Sequence, residues 1–219
     1  MKLNLKQVCL NVYKQLPENI TDSSVTLNLE KGDFLYHRGE KPNGFYFIKS
    51  GLMAITDISP NGNESLLRVY GEDFFIGHRT FIVNEEYHAS SLALEDSTVI
   101  RLPFTSVEQL QNEYAGVFLH ITQMLARDLR MAEERFNDLT GKRVMSRIID
   151  SLLFLQRRKP DYQWTRREIG EFCGAKTETV TRSFGKLEGL GLLQKNNREI
   201  IVPDPQKLLD YKHEFDLEA

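Results

Sequence analysis

The period of the apolar residues changes at Pro103, and no other feature restricts the fold as much. From about Ser23 to Pro103 short β-prone runs follow one another: Val25–Leu29, Phe34–Tyr36, Gly44–Ile48, Leu52–Ile58, Ser65–Val69, His88–Leu94 and Thr98–Leu102. Turn signals such as Lys31-Gly32-Asp33, Arg38-Gly39-Glu40 and Ser59-Pro60-Asn61-Gly62-Asn63 separate them, a spacing that predicts an all-β roll or barrel. Asn61-Gly62 is a strong hairpin signal. From Ser106 to Leu139 there is no proline and one glycine, Gly116. Phe118, Ile121, Leu125, Leu129, Ala132, Phe136 and Leu139 recur there every three or four residues, as on a helix that pairs with a second copy. A helix of roughly 34 residues would span about 50 Å, more than a small β-roll can cover. The expectation is therefore a dimerisation helix rather than one packed only on its own roll.

Thr140-Gly141 is the expected hinge, followed by a helix from Lys142 with Val144, Ile148, Ile149, Leu152 and Leu155 on its apolar side. After a basic surface loop, Arg157–Asp161, the stretch Trp164–Arg182 predicts two short helices around a glycine turn. Ile169 and Phe172 give the first an apolar stripe; Val180, Phe184 and Leu187 give one to the second. Gly174 stands where a left-handed residue is needed, and Ala175 is small enough for a close crossing. Thr177, Glu178, Thr181 and Arg182 then face outward. In a major groove arginine bonds guanine O6 and N7 together, and glutamate accepts from the cytosine amino group. The plainer reading, an i,i+4 surface ion pair worth about 0.2–0.5 kcal/mol, explains neither the turn nor the flanking cations. Residues 189–193 and 196–202 predict a β-hairpin wing.

Net charge over the 219 residues is −3, but it is unevenly divided. Residues 142–207 carry 14 Lys/Arg against 8 Asp/Glu, whereas residues 1–141 carry 13 against 19, as expected if only one part meets phosphate. Charge interrupts every apolar run, so no transmembrane span is expected, and the opening Met1–Lys6 is no secretory signal. A cytoplasmic protein is expected. Cys9 and Cys173 lie far apart and outside any CxxC pattern, too few to hold a structural zinc or an iron–sulfur cluster.

In this order the parts resemble the Crp/Fnr family of bacterial transcription regulators. The resemblance rests on Lys31-Gly32-Asp33-Phe34-Leu35 with Arg38-Gly39-Glu40, on Gly44–Gly51, on Gly71–Gly77, and on Thr165–Gly170 with Glu178–Arg182. It implies an α+β architecture: a cyclic-nucleotide-binding-like β-roll sensor over 1–105, a dimerisation helix over 106–139 and a winged helix-turn-helix over 140–219. It further implies a homodimer on double-stranded DNA, with Glu178 and Arg182 reading a TGA-like half-site. Thr165, Lys176 and Arg198 would touch phosphate, giving affinity without sequence information. Thr177 stands where the cyclic-AMP receptor has arginine, which leaves the outer bases open. Activating members use the surface equivalent to the 157–161 loop to contact RNA polymerase, and repression by promoter occlusion is equally compatible.

The sensor departs from the family pattern. Where cyclic-AMP-binding members keep Gly-Glu and then Arg-Ser/Thr, this chain has Gly77-His78 and then Tyr87-His88. Without that arginine a phosphate loses its bidentate partner, and Ala132-Glu133 would stand where adenine-contacting hydroxyls are found. The effector expected is a ligand other than cyclic AMP, or none, with Gly77, His78, Arg79, Thr80, Tyr87, His88, Ala132 and Glu133 as pocket candidates. Haem ligation by His78 is one alternative; His78 and His88 as hydrogen-bonded fillers is the preferred one. A metal-dependent β-roll enzyme is a further alternative, but His37, His78 and His88 lack its ligand spacing. No resident metal is expected.

Overall fold

The computed structural model describes residues 5–196 and 199–217, with side chains from residue 8 onward. The chain divides into two compact units, Met1–Ile58 with Leu67–Arg130, and Ser59–Leu66 with Met131–Ala219.

Two helices open the first unit, α1 (Leu5–Lys14) and α2 (Glu18–Asp22). Eight strands follow: β1 (Val25–Leu29), β2 (Phe34–Tyr36), β3 (Phe45–Ser50), β4 (Leu52–Ile58), β5 (Glu64–Gly71), β6 (Phe75–Ile76), β7 (Ser90–Ala93) and β8 (Ser97–Leu102). They form two four-stranded sheets, ordered β1-β8-β3-β6 and β2-β7-β4-β5. The β3–β8 pairing is antiparallel and sets Phe45 opposite Leu102 and Phe47 opposite Ile100. Four consecutive residues of β3, Phe45–Ile48, are buried, so this strand is covered on both faces rather than on one. Tyr13 of α1 stacks on Phe47, ring centroids 4.0 Å apart. A short helix absent from the sequence reading, α3 (His78–Val83), separates β6 from β7. The Asn61-Gly62 turn closes as expected, with Gly62 N–H donating to Ser59 O at 2.8 Å and Ser59 N–H to Asn63 O at 2.9 Å.

The single helix expected over 106–139 is two. Helix α4 (Val107–Glu113) starts at Ser106, whose hydroxyl accepts from Gln109 N–H, and stops at Tyr114. Tyr114 leaves the helical region because its ring packs edge-on against Phe104, centroids 5.2 Å apart. Helix α5 (Ala115–Gly141) has 27 residues, a length of about 40 Å. Its break comes at Lys142–Arg143, not at Thr140-Gly141, and α6 (Val144–Arg158) begins two residues later than expected.

The second unit continues with α7 (Arg166–Cys173), α8 (Thr177–Gly189), β9 (Gln194–Asn196), β10 (Glu199–Ile201) and α9 (Pro205–Leu217). The wing pairs Glu199 with Asn196 and Ile201 with Gln194. Its first strand is thus 194–196; residues 190–193 instead form the turn that follows α8, where Leu192 N–H donates to Leu187 O at 2.9 Å. Helix α9 is a further element the sequence reading lacked. Asp204 caps it, accepting from Gln206 and Lys207 N–H at 2.9 and 3.2 Å, and Pro205 opens it without losing a bond. Against α6, α9 places Lys212 Nζ 2.6 Å from Asp150, and Arg143 donates to Phe215 O at 2.8 Å. Asp150 also receives Lys142 Nζ at 2.8 Å, and Lys142 reaches Asp138 at 3.0 Å. Burial alone would raise the Asp150 pKa, but the two ammonium groups outweigh it and hold the carboxyl below its ordinary value.

Candidate nucleic-acid interface and sensor region

Helix α7 is started by a reciprocal cap. The Thr165 hydroxyl accepts from Glu168 N–H at 3.2 Å while the Glu168 carboxylate accepts from Thr165 N–H at 2.7 Å. Tyr162 donates its hydroxyl to the same carboxylate at 2.6 Å. Thr165 therefore acts first as a helix cap. Gly174, at φ 68°, ends the helix in the left-handed region, and its N–H returns to Gly170 O. The close approach assigned to Ala175 belongs to Gly170: a Cβ there would lie 2.6 Å from the Ala175 carbonyl oxygen. Ile169, Val180, Phe184 and Leu187 are fully buried, and Phe172 nearly so.

That packing fixes what is left outside. Lys176 is the N-cap of α8, and Lys176, Thr177, Glu178, Thr181 and Arg182 are all exposed. Thr181 donates its hydroxyl to Thr177 O at 2.9 Å. The ion pair that would make Glu178 and Arg182 ordinary surface residues is absent among the described residues, and neither side chain has a hydrogen bond there. Both stand one helical turn apart with their recognition atoms in water. Arg198 lies outside the described residues.

The stripe on α5 splits. Ile121 is fully buried and Phe118 and Leu125 pack against the core of the first unit, together with Val117 and Met124. Ile121 is thereby unavailable to a partner chain. Leu129 and Phe136 remain 61% and 67% exposed, Ala132 is exposed between them, and Leu119, not part of the expected stripe, is 58% exposed.

Around β6 and α3 the effector candidates separate. Gly77 and Tyr87 meet: a Cβ on Gly77 would lie 3.6 Å from the Tyr87 hydroxyl and 3.1 Å from the Tyr46 ring. Tyr87 is buried, stacked on Tyr36 with centroids 3.6 Å apart, and burial pushes its pKa up. His78 and Thr80 are buried as well, whereas Arg79 and His88 are exposed and bond each other at 3.3 Å. His78 and His88 thus do not form one site. Burial lowers the His78 pKa to about 4, outweighing the pull of Asp128, so the ring is neutral. Both its nitrogens are sealed from solvent without a hydrogen bond. A haem ligand must present a nitrogen to a porphyrin-sized space; no water-sized space touches either nitrogen, so the residues do not fit haem. Of the two hydrogen-bonded fillers expected, His88 is bonded, to Arg79, but lies exposed, and only His78 is buried.

Comparison with known proteins gives these two sites their setting. Residues 26–114 match the family profile of the cyclic nucleotide-binding domain, and residues 146–211 match that of the Crp-like helix-turn-helix domain. The chain belongs to the Crp/Fnr family. The transcriptional activator Anr of Pseudomonas aeruginosa is 24% identical over 189 residues, 82% of this chain and 77% of that one. The cAMP-activated global regulator CRP of Salmonella typhimurium is 28% identical over 177 residues, covering 77% and 84%. Among solved structures, the c-di-GMP-responsive regulator CLP of Xanthomonas campestris superposes with a TM-score of 0.74 at 18% identity, covering 84% and 96%. A Crp/Fnr regulator of Thermus thermophilus gives 0.73 at 22% identity, covering 86% and 98%. This chain is accordingly a transcription regulator with a DNA-binding helix-turn-helix, and its relatives are regulators rather than enzymes. No helix among the described residues is long and apolar enough to cross a membrane.

In this Crp/Fnr chain the α5 residues whose charge acts on His78 are Asp128 and His120. Ala132 and Glu133 are exposed and group with the other unit. Asp128 accepts from the Tyr70 hydroxyl at 2.8 Å, and its carbonyl accepts from Arg68 at 3.1 Å. Nothing local in the sequence marked these residues, because strand and helix meet across 58 and 60 positions.

Proposed function

We propose that this Crp/Fnr regulator acts as a homodimer on a palindrome of TGA-like half-sites, with Glu178 and Arg182 as its base readers. The observation that carries the reading is their state on α8: exposed, one turn apart and uncommitted, on a helix locked by the Gly170 crossing. Lys176, Thr177 and Thr181 flank them, with Thr165 and Arg198 as phosphate-side candidates, Thr165 through the α7 N-terminus it caps. Leu129, Ala132 and Phe136 supply the apolar face for pairing, since large apolar side chains left in water at helical spacing favour a second helix. Residues 1–105 sense, the long helix pairs, and residues 140–219 bind DNA in the cytoplasm, with the 157–161 loop turned to RNA polymerase.

The effector is a ligand other than cyclic AMP, or none. CRP of Salmonella is cAMP-activated and CLP of Xanthomonas responds to c-di-GMP, so membership of the family does not carry the ligand. Here the arginine that would clasp a cyclic phosphate is absent, and Tyr87 is stacked into the core.

Competition gel shifts at fixed salt test the reading. Wild type should prefer a TGA-type palindrome and bind as two chains per duplex. Arg182→Ala should lose at least roughly tenfold in discrimination, as expected for a bidentate base contact, while keeping weak, salt-sensitive binding. Unchanged discrimination overturns the base assignment, and one chain per duplex overturns the dimer.

A further inference from the structure

Cys9 on α1 and His120 and Met124 on α5 meet inside the first unit. Cys9 Sγ lies 3.2 Å from His120 Nε2 and 3.7 Å from Met124 Sδ. All three are buried, and His120 and Met124, one helical turn apart, project from the same side of α5. None of them reads DNA, and of the three only His120 acts on a sensor residue, His78.

We infer that Cys9, His120 and Met124 form a three-coordinate site for a soft monovalent ion, copper(I), that ties α1 to α5. The donor set decides the class: thiolate and thioether sulfurs select copper(I), whereas magnesium and calcium want oxygen. Zinc takes four ligands from Cys, His and carboxylate. Among the described residues no three of His, Cys, Asp or Glu converge on one point. Charge decides the valence. One thiolate with one monovalent cation is neutral overall, while a divalent ion would leave a net charge in an apolar interior. With the bond lengths these ligands show on zinc, about 2.3 Å to sulfur and 2.0 Å to nitrogen, the separations correspond to angles of roughly 95° and 107°, so the ligands need spread only a few tenths of an ångström to hold a three-coordinate ion. On binding, the Cys9 thiol gives its proton to solvent and the sulfur bonds the ion; nothing is oxidised.

The test is an anaerobic titration of the full-length protein with copper(I) held by bicinchoninate. One ion per chain should transfer from the competitor, with thiolate-to-copper absorption in the near ultraviolet. Cys9→Ser should abolish the transfer. Met124→Leu keeps the thiol and nearly the volume, and should weaken binding at least roughly tenfold. Cys173→Ser should leave the stoichiometry at one. Copper remaining with the competitor in wild type, unchanged affinity in folded Met124→Leu, or binding that follows Cys173 would each overturn the assignment.

Discussion

The outward face of α8 and the surroundings of His78 are the two polar regions a sequence reader singles out, and they are built in opposite senses. On α8 the scaffold is satisfied from within, by the Thr165–Glu168 cap and the Gly170 crossing, and Glu178 and Arg182 are left with nothing to bind. Around His78 the polar atoms are sealed, and Tyr70, Arg68 and Asp128 already bind one another. A polar group left in water is available to a partner at little cost. A sealed one must first be released, so a sensor of this kind answers a ligand only by rearranging its core.

The largest effect that could break this contrast is at Gly170. Gly170→Val would drive side-chain atoms against the Ala175 carbonyl, costing up to about 3 kcal/mol by overpacking. DNA binding of every kind should fall with the helix pair; a variant that melts normally and still binds DNA would show that the crossing does not hold the readers. The next effect concerns His78. Its folded pKa of about 4 lies below the unfolded 6.5. The unfolded chain therefore binds more protons between these values, and stability is full above pH 6.5 and lost as pH falls toward 4. Roughly 2 kcal/mol should disappear between pH 7 and pH 5, and His88 and His120, also lowered chiefly by burial, act in the same direction. Urea unfolding at the two pH values measures this, and His78→Gln should flatten the dependence. Equal stability at both pH values would mean that His78 is not sealed in solution. The smallest effect is at Thr165. Thr165→Ala should cost about 1 kcal/mol of stability by removing the cap, with base discrimination intact in gel shifts. Altered discrimination would make Thr165 a reader and blur the line between scaffold and face.

Much of the output unit was legible because its information is local. Ile169, Val180, Phe184 and Leu187 announce their faces by spacing, and Gly174 sits where only a left-handed residue closes the turn. Two signals were present but unused: Thr165-x-x-Glu168 spells the cap, and Asp204-Pro205 spells the start of α9. Seven of the roll's eight strands were likewise readable from turn signals, within a residue or two at most ends, whereas the two-residue β6 was not. What failed depended on distant partners. Tyr114 breaks the 106–139 helix because Phe104 receives its ring, and Ile121 turns inward because the β-roll core takes it. Asp128 rather than Glu133 acts on His78 for a similar reason, since an error of five residues along a helix is invisible until the sheet opposite is in place.

Asp150 receives one lysine from the bend after α5 and another from α9, 62 positions away. Helix α9 is therefore a strut for the bend between α5 and α6. Without it, the corner keeps Lys142 on Asp138 and Asp150 and Arg147 on the Lys142 carbonyl, and the first of these is a set of charges that ordinary salt weakens. A regulator built this way takes part of the stiffness of that corner from a helix more than sixty positions further along the chain.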